Sequence, residues 1–316
     1  MKDRQLLSKS GLLILFMIML WVLACSKILD TTDSLPFHAN NYIIRELPYG
    51  QRPYTGEPVV SLKYQEIHPT DEQGVILFLY KEQAYYHPVN IAQWTLGFLD
   101  SYDQTGDPEY LERAELFARK LREIAIEVKE ALYFPYTFDI PVHGHPVDQM
   151  VAPWYSGMAQ GQSLSAFVRL YSVTGKRDYL KASENIFQSF FYLREESDPW
   201  TAFTDTSGYY WIEEYPMEVP GRVLNGFIFA IYGLYDYYLL TRDLASRQLL
   251  RASITTIQSY LCEYRNEGGI SYYCLKHRHQ DGGYHMVHIG QLYTLYHITG
   301  DDYFLEMAHS FEADYP

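Results

Sequence analysis

The sequence predicts an all-α fold, an (α/α) toroid of about four helical hairpins preceded by a short extended or β-hairpin segment. Two observations indicate this. The pattern Tyr-x-x-Thr recurs at spacings of roughly 60–70 residues, as in repeats built from helix pairs, and it begins at Tyr102, Tyr171, Tyr238 and Tyr296. Each copy follows an apolar segment and precedes a more polar, amphipathic one, as expected for an inner ring of helices wrapped by an outer ring.

The N-terminal residues predict export. Lys2, Arg4 and Lys9 precede an apolar run over 11–24 that ends at Cys25. The run is shorter than the ~20 residues that span a bilayer, and its VLAC ending resembles a bacterial lipoprotein processing box. We predict a signal peptide over 1–24, lipid on Cys25 and a membrane-anchored lipoprotein outside the cytoplasm. A plain secretory signal and an uncleaved N-terminal helix are the alternatives, and both are also extracytoplasmic.

The remaining chain divides into a linker and short β-rich segment over 25–80 and a toroid over 81–316. Prolines and glycines between Pro48 and Pro58 indicate the linker, and the apolar stretches at 59–62 and 75–79 predict short strands. Within the toroid, the apolar segments predict inner helices over 89–102, 163–172, 223–240 and 289–298, and an amphipathic segment predicts a first outer helix over 111–128.

The short turns between paired helices predict where the polar chemistry gathers. Gly106, Gly175 and Gly300 suit the left-handed conformation that ends a helix, and Asp107 and Asp301 suit the cap of the next one. With these turns at one end of the toroid, the long connections over 131–155, 196–219 and 265–287 must meet at the other end. They contain His143, His145, Trp154, Glu213, Glu214, Tyr215, Tyr273, Lys276, His277, Tyr284 and His285, and His288 follows directly after the last of them.

The net charge of −14 argues against nucleic acid as a partner, because nucleic-acid binders need a basic surface. A polyanionic sugar would need a local basic cleft, for which Lys276, Arg278 and Arg222 are the candidates. Distant charges matter less there, since salt screens them over ~8 Å.

Cysteine and histidine usage predicts neither a disulfide framework nor a metal cofactor. Apart from Cys25, only Cys262 and Cys274 are present, so one bridge is the most that can form. The spacings His277-x-His279 and His285-x-x-His288 suit a metal, but no cysteine or carboxylate ligand is evident beside them.

Tyrosine chemistry is the most suggestive feature of these connections. Inverting a carbon next to a carboxylate requires a base on one face and an acid on the other. A phenol can serve in both roles, provided that its pKa, near ~10 in water, is lowered by positive neighbours. Lys276 and His277 are expected to lower the pKa of Tyr273 and its partners in this way. Most of the 31 tyrosines, however, are expected to pack in the core or line the cleft.

Six segments carry a resemblance to a known family. They are YHPVNIAQ at 86–93, WYSGMAQGQ at 154–162, EEYP at 213–216, VLNGF at 223–227, GLYD at 233–236 and YHMVHIGQL at 284–292. Together they resemble the C-terminal domain of the heparan and heparosan D-glucuronyl C5-epimerases, over roughly residues 84–310.

This resemblance implies conversion of D-glucuronate to L-iduronate within a heparosan-like acidic polysaccharide, without an organic cofactor; a structural Ca²⁺ is neither predicted nor excluded. The implied catalytic residues are Tyr215, Tyr273, Tyr284 and Glu214. To substrate binding we assign Lys276, His277, Asn225, Gln162, Trp154 and His288.

The chain departs from the family pattern at three places. The segment YCLKH at 273–277 stands where the family has Tyr-Asp-Leu-Arg-His, so Lys276 offers a point charge in place of a bidentate fork. The loop between Tyr273 and Tyr284 is shorter than in the animal enzymes. The large β-rich domain that precedes the toroid in those enzymes has no room here, which leaves the polymer specificity and a homodimer open.

Two other function classes are compatible with the same residues. A polysaccharide lyase, or another uronan-active toroid enzyme, would share the first proton abstraction and then expel the 4-linked sugar. A surface glycan-binding lipoprotein would keep the aromatic cleft without catalysis. The presence of Tyr215, Tyr273, Tyr284 and Glu214 favours an enzyme.

Overall fold

The computed structural model describes residues 36–145 and 147–315, and those from Phe37 onward belong to one compact unit. The predicted signal peptide and the predicted lipidation site Cys25 lie outside the described residues. Among the residues described, no helix has the length and apolar character needed to cross a membrane. The domain boundaries at 25–80 and 81–316 stay predictions.

The described chain is mainly helical, and its helices form four consecutive hairpins, as predicted. The inner helices are α1 (Pro88–Thr105), α3 (Gly157–Thr174), α5 (Leu224–Thr241) and α7 (Gly282–Thr299). The outer helices are α2 (Pro108–Ile124), α4 (Arg177–Gln188), α6 (Leu244–Tyr264) and α8 (Asp302–Asp314). Consecutive inner helices pack against one another, and each outer helix packs on the inner helix before it, which gives the α/α toroid arrangement.

One hydrogen-bonding device explains the repeated Tyr-x-x-Thr pattern. At the end of α1, the carbonyl of Tyr102 accepts the N–H of Gly106, which has φ 69°. The hydroxyl of Thr105 donates to the carbonyl four residues back at 2.7 Å and accepts the N–H of Asp107 at 3.2 Å. Asp107 then caps α2. The two threonine hydrogen bonds recur after α3, α5 and α7, because each helix end must satisfy its last carbonyls. An aspartate side chain caps the next helix after α5 and α7, whereas Lys176 after α3 provides no side-chain cap.

The third turn uses a different residue at the left-handed position. Arg242 follows Thr241 where the other repeats have glycine, and its φ is 56°. Its N–H still reaches the carbonyl of Tyr238 at 2.8 Å, and Asp243 still caps the next helix. The turn geometry is therefore set by the hydrogen bonds and tolerates a non-glycine residue.

Glycines let α3 and α5 approach each other closely at the centre of the ring. A Cβ on Gly161 would lie 2.2 Å from the Cα of Ala230, and one on Gly233 would lie 2.2 Å from the carbonyl oxygen of Gly161. A buried ion pair ties the same two helices together, with Arg169 Nε 2.9 Å from Asp236 Oδ2. Arg169 also donates to the carbonyl of Pro53 at 2.7 Å, which joins the N-terminal segment to the helices.

Short antiparallel hairpins stand at the end opposite the tight turns. They are β1–β2 (Phe78–Tyr80 with Gln83–Tyr85), β3–β4 (Ile126–Val128 with Ala131–Tyr133), β5–β6 (Ile140–Pro141 with Gln149–Met150) and β7–β8 (Ala202–Thr204 with Tyr210–Ile212). Each lies just before an inner helix or in the connection that leads to one. The long connections therefore meet at one rim, as predicted.

Four local predictions were wrong. The second inner helix, predicted over 163–172, begins at Gly157. Residues 59–62 form no strand, because their backbone is bonded to side chains of the first hairpin: the N–H of Val60 to Ser101 and its carbonyl to Tyr110. The outer helix predicted over 111–128 ends at Ile124, since pairing with β4 extends the chain from Ile126.

The fourth inner helix also begins earlier than predicted. Asp281 accepts the N–H groups of Gly283 and Tyr284, so α7 starts at Gly282. Tyr284, His285 and His288 consequently lie on the first turns of a helix and have fixed spacing along it.

Candidate active site

A buried carboxylate, Glu214, is at the centre of the rim. It follows β8, and 7% of its surface is exposed. The hydroxyl of Tyr273 lies 3.1 Å from both of its oxygens and donates to them. A Cβ on Gly226, in the first turn of α5, would lie 2.2 Å from Glu214 Oε2. Glycine at this position therefore makes room for the carboxylate against the helix.

The three predicted catalytic tyrosines surround this carboxylate. Tyr215 is the next residue in the chain, and its hydroxyl interacts with Glu214. The ring of Tyr284 meets the ring of Tyr273 edge-on, with centroids 4.6 Å apart. Tyr273 is 3% exposed whereas Tyr284 is 42% exposed, so the group extends from the interior to the surface. The structure thus brings together residues that lie far apart in the sequence.

Burial raises the pKa of the acid and of the phenols alike. It raises the pKa of Glu214 to about 7, against the opposing effect of hydrogen bonds from Tyr215 and Tyr273. The pKa values of Tyr215 and Tyr273 lie well above the ordinary value, first because of burial and then because of the Glu214 charge. The pKa of Tyr284 is raised for the same two reasons. The prediction that Lys276 and His277 lower these values was wrong, since the pKa of each phenol is raised and neither residue is among the main causes.

Lys276 and His277 are both paired with one carboxylate, that of Asp148. Lys276 Nζ lies 2.7 Å from its Oδ1, and His277 Nε2 lies 2.5 Å from its Oδ2. This pairing lowers the pKa of Asp148. A substrate carboxylate that contacts Lys276 would have to share it with Asp148 or displace Asp148.

A groove passes Trp154 at the edge of the site, and neither Glu214 nor the three tyrosines line it. The indole stacks on Tyr136 with centroids 3.8 Å apart, donates to the carbonyl of Phe138 at 2.8 Å, and lies 5.9 Å from the ring of Tyr215. The groove has a volume of about 450 Å³. Its charged lining residues are Asp148, Asp198, Glu218 and Lys276.

The other predicted substrate residues lie deeper. Gln162 borders a second cavity of about 520 Å³ between the inner helices. Asn225 is 1% exposed in the first turn of α5, and its carbonyl accepts the Gln291 amide at 3.0 Å. His288 is fully buried, with Nδ1 2.8 Å from Ser271 Oγ, and burial lowers its pKa to about 3. His288 therefore contacts the segment that leads to Tyr273, and Gln162 borders the second cavity. Substrate binding by Gln162, Asn225 and His288 stays a prediction.

Comparison with known proteins places this site in a family. The model of the D-glucuronyl C5-epimerase C-terminus matches residues 128–313, more than half of the chain. The chain belongs to this family. The matched range contains Glu214 and all three tyrosines around it.

Curated relatives are similar over part of their length. An uncharacterized protein of Methanocaldococcus jannaschii is 28% identical over 178 residues, which is 54% of each chain. The D-glucuronyl C5-epimerase of Caenorhabditis elegans is 34% identical over 83 residues, 26% of this chain and 13% of its own. The chain therefore spans about half or less of the curated relatives that it matches.

Solved structures share the fold at low identity. Cellobiose 2-epimerase from Bacillus thermoamylovorans has a TM-score of 0.58 and 13% identity, over 79% of this chain and 66% of that one. The GH76 α-mannanase of Bacteroides thetaiotaomicron has a TM-score of 0.51 and 16% identity, over 78% and 62%. These likenesses show the α/α toroid fold.

Within this family site, sequence reasoning missed the role of Asp148 and assigned no separate role to Glu213. Glu213 is fully buried and accepts the N–H groups of Gly221 and Arg222 at 3.0 Å. It therefore anchors the loop after Tyr215, although burial raises its pKa to about 7. Asp148 follows His143 and His145 in the first long connection, whereas its partners lie in the third, so it becomes informative only when the two connections are brought together.

The two cysteines do not form a bridge. Cys262 is exposed on α6, whereas Cys274 is buried in the rim. Cys274 instead lies beside His277, with Sγ 3.6 Å from Nδ1.

Proposed function

We propose that this protein is a carbohydrate epimerase that inverts C5 of hexuronate residues within an acidic, heparosan-like polysaccharide. The observation that carries the proposal is the buried Glu214 carboxylate shared by the phenols of Tyr215 and Tyr273. Family membership supports the reaction class. A hydrolase would place its carboxylates against the glycosidic oxygen, whereas here the carboxylate contacts phenols.

One carboxylate between two phenols can return both to their starting state after each turnover. As the first tyrosine takes the C5 proton, its own hydroxyl proton passes to Glu214. The second tyrosine, on the opposite face of the ring, gives its proton to C5 and becomes a phenolate. Glu214 then reprotonates that phenolate. Protons balance over the cycle, and the roles of Tyr215 and Tyr273 exchange when the reaction runs in reverse.

Tyr284 and Lys276 have supporting roles in this scheme. Tyr284 hydrogen-bonds the sugar from the open side of the site, in line with its exposure. Lys276 holds the substrate carboxylate once that group displaces Asp148, and His277 assists it. Neutralising the carboxylate is required because charge builds up on it as the C5 proton leaves.

The deciding experiment is NMR of heparosan and other uronans after incubation in D₂O with the purified chain beginning at Ser26. We expect deuterium at C5 and iduronate signals. Unsaturated uronate ends would replace this proposal with a lyase, and newly formed reducing ends without unsaturation would replace it with a hydrolase. Binding of the polymers without any exchange at C5 would favour a glycan-binding protein.

We also propose that lipid on Cys25 tethers the protein to a membrane outside the cytoplasm. Cells that express the full chain should incorporate labelled fatty acid into it, and Cys25→Ser should abolish that label. Equal labelling of Cys25→Ser and the native chain would contradict the proposal. The matched control is Cys262→Ser, since Cys262 is an exposed thiol on α6.

A further inference from the structure

Three side chains of the types that bind metal ions, from two of the long connections, converge beside Tyr273. His143 lies in the turn between β5 and β6, and Cys274 and His277 follow Tyr273. One nitrogen of each imidazole and the Cys274 sulfur all lie within 4.8 Å of one another. The Cys274 Sγ to His277 Nδ1 distance is 3.6 Å. A tetrahedral zinc ion separates a sulfur and a nitrogen ligand by about 3.5 Å, from bond lengths near ~2.3 and ~2.0 Å.

Each of the three ligand atoms is available. His143 Nε2 is buried and makes no hydrogen bond within the described residues. Cys274 is buried and unbridged, so its thiol is protected from oxidation into a disulfide with Cys262. His277 uses Nε2 to contact Asp148, which leaves Nδ1 directed at the sulfur. An unpaired buried nitrogen is costly unless something binds it.

Asp148 has the position of an outer-sphere partner. Metal-bound histidines usually hold a carboxylate at their second ring nitrogen, which fixes the ring and strengthens the ligand. The Asp148–His277 contact of 2.5 Å has this arrangement. Other imidazoles enclose the site: His279 stacks on His143 at 5.0 Å and His145 stacks on His277 at 4.4 Å.

We propose that His143, Cys274 and His277 bind one divalent cation of the zinc class. The thiol loses its proton as the Cys274 sulfur binds, and the fourth position is taken by water or a substrate oxygen. Thiolate and imidazole ligands select zinc, cobalt or nickel over calcium and magnesium, which require oxygen ligands. The bound cation fastens the β5–β6 turn to the segment after Tyr273 and places a positive charge there. Binding requires no substrate, so the proposal is independent of the epimerase activity.

Cobalt(II) tests the ligand set directly because its absorption reports thiolate ligation. Titration of the metal-free native chain with Co²⁺ should give one equivalent, with a sulfur-to-cobalt band in the near ultraviolet and visible bands of a tetrahedral ion. Cys274→Ser should lose the near-ultraviolet band, and His143→Ala should weaken binding at least tenfold. The matched control Cys262→Ser should behave as the native chain. No uptake by the native chain, uptake by Cys274→Ser with the band intact, or loss of the band in Cys262→Ser would each overturn the proposal.

A second readout covers variants that fold poorly. Zn²⁺ should raise the thermal unfolding midpoint of the native chain and of Cys262→Ser, and equal Ca²⁺ should not. His143→Ala removes a ring whose Nε2 has no hydrogen bond, so it should fold, as checked by circular dichroism, and show no zinc-dependent rise. A rise of equal size in His143→Ala would contradict the assignment.

Discussion

The two ends of the toroid are built in opposite ways. At one end, four turns repeat the same threonine and carbonyl hydrogen bonds with little variation. At the other, connections of unequal length meet and bury Glu213, Glu214 and His288. The first end is specified by residues two to four apart, whereas the second depends on contacts between distant segments. Fold and chemistry are therefore separable by mutation.

The largest expected effect is the loss of activity at the connection end. Tyr273→Phe removes the hydroxyl that donates to Glu214, so C5 exchange should fall about 10²–10⁴-fold, the range of general acid–base contributions. The free energy of unfolding should change by only about 1 kcal/mol, as for one hydrogen bond. The control is Tyr296→Phe, in the tight-turn end. C5 deuterium exchange measures the activity of both variants, and thermal unfolding measures their stability. Full activity in Tyr273→Phe would remove this residue from the mechanism.

A loss of stability without a loss of activity is expected at the buried ion pair that joins α3 and α5. Asp236→Asn leaves the buried guanidinium of Arg169 without its charge partner, which should cost about 3–5 kcal/mol of unfolding free energy. Denaturant titration measures this, with the exposed Asp302→Asn as control. Both variants should retain the C5 exchange rate while folded. An unchanged unfolding midpoint in Asp236→Asn would show that the ion pair contributes little.

The pH dependence of activity distinguishes the two buried glutamates of the site, Glu214 and Glu213. Glu214 must be ionised to accept a phenol proton, and its pKa is about 7. The value of kcat/KM should therefore rise about tenfold per pH unit below 7 and level off above it. Glu214→Gln should remove this rising limb from the residual activity.

Glu213 provides the matched control, because its pKa is also about 7. Glu213→Gln should keep the rising limb, since this residue bonds to backbone amides. A limb that disappears in Glu213→Gln and persists in Glu214→Gln would reverse the assignment.

The smallest effect concerns a single turn. Gly175→Ala places a side chain at φ 68° with no atom of the described residues within 4 Å, so backbone strain of about 1–2 kcal/mol is what opposes it. Gly290→Ala, in helical conformation and equally open, should instead stabilise by about 0.5–1 kcal/mol. Thermal unfolding of the pair measures the difference. Equal midpoints would mean that the left-handed turn is not required.

The sequence predicted features that depend on neighbouring residues. The turn at Gly106 and Asp107 and the inner helices follow from local patterns, and their order places the connections at one rim. Lys276 and Asp148 are 128 residues apart, and no periodicity links them. Their pairing, and the high pKa values of the tyrosines, depend on burial and neighbours that only the folded chain provides.

Asp148 competes with a substrate carboxylate for Lys276. Its carboxylate already pairs with Lys276. Under the proposed function, a uronate could exchange its own carboxylate for Asp148 at Lys276, whereas a neutral hexose has no anion to exchange there. The protein would in this way screen its substrates by ion exchange before any bond to carbon is broken.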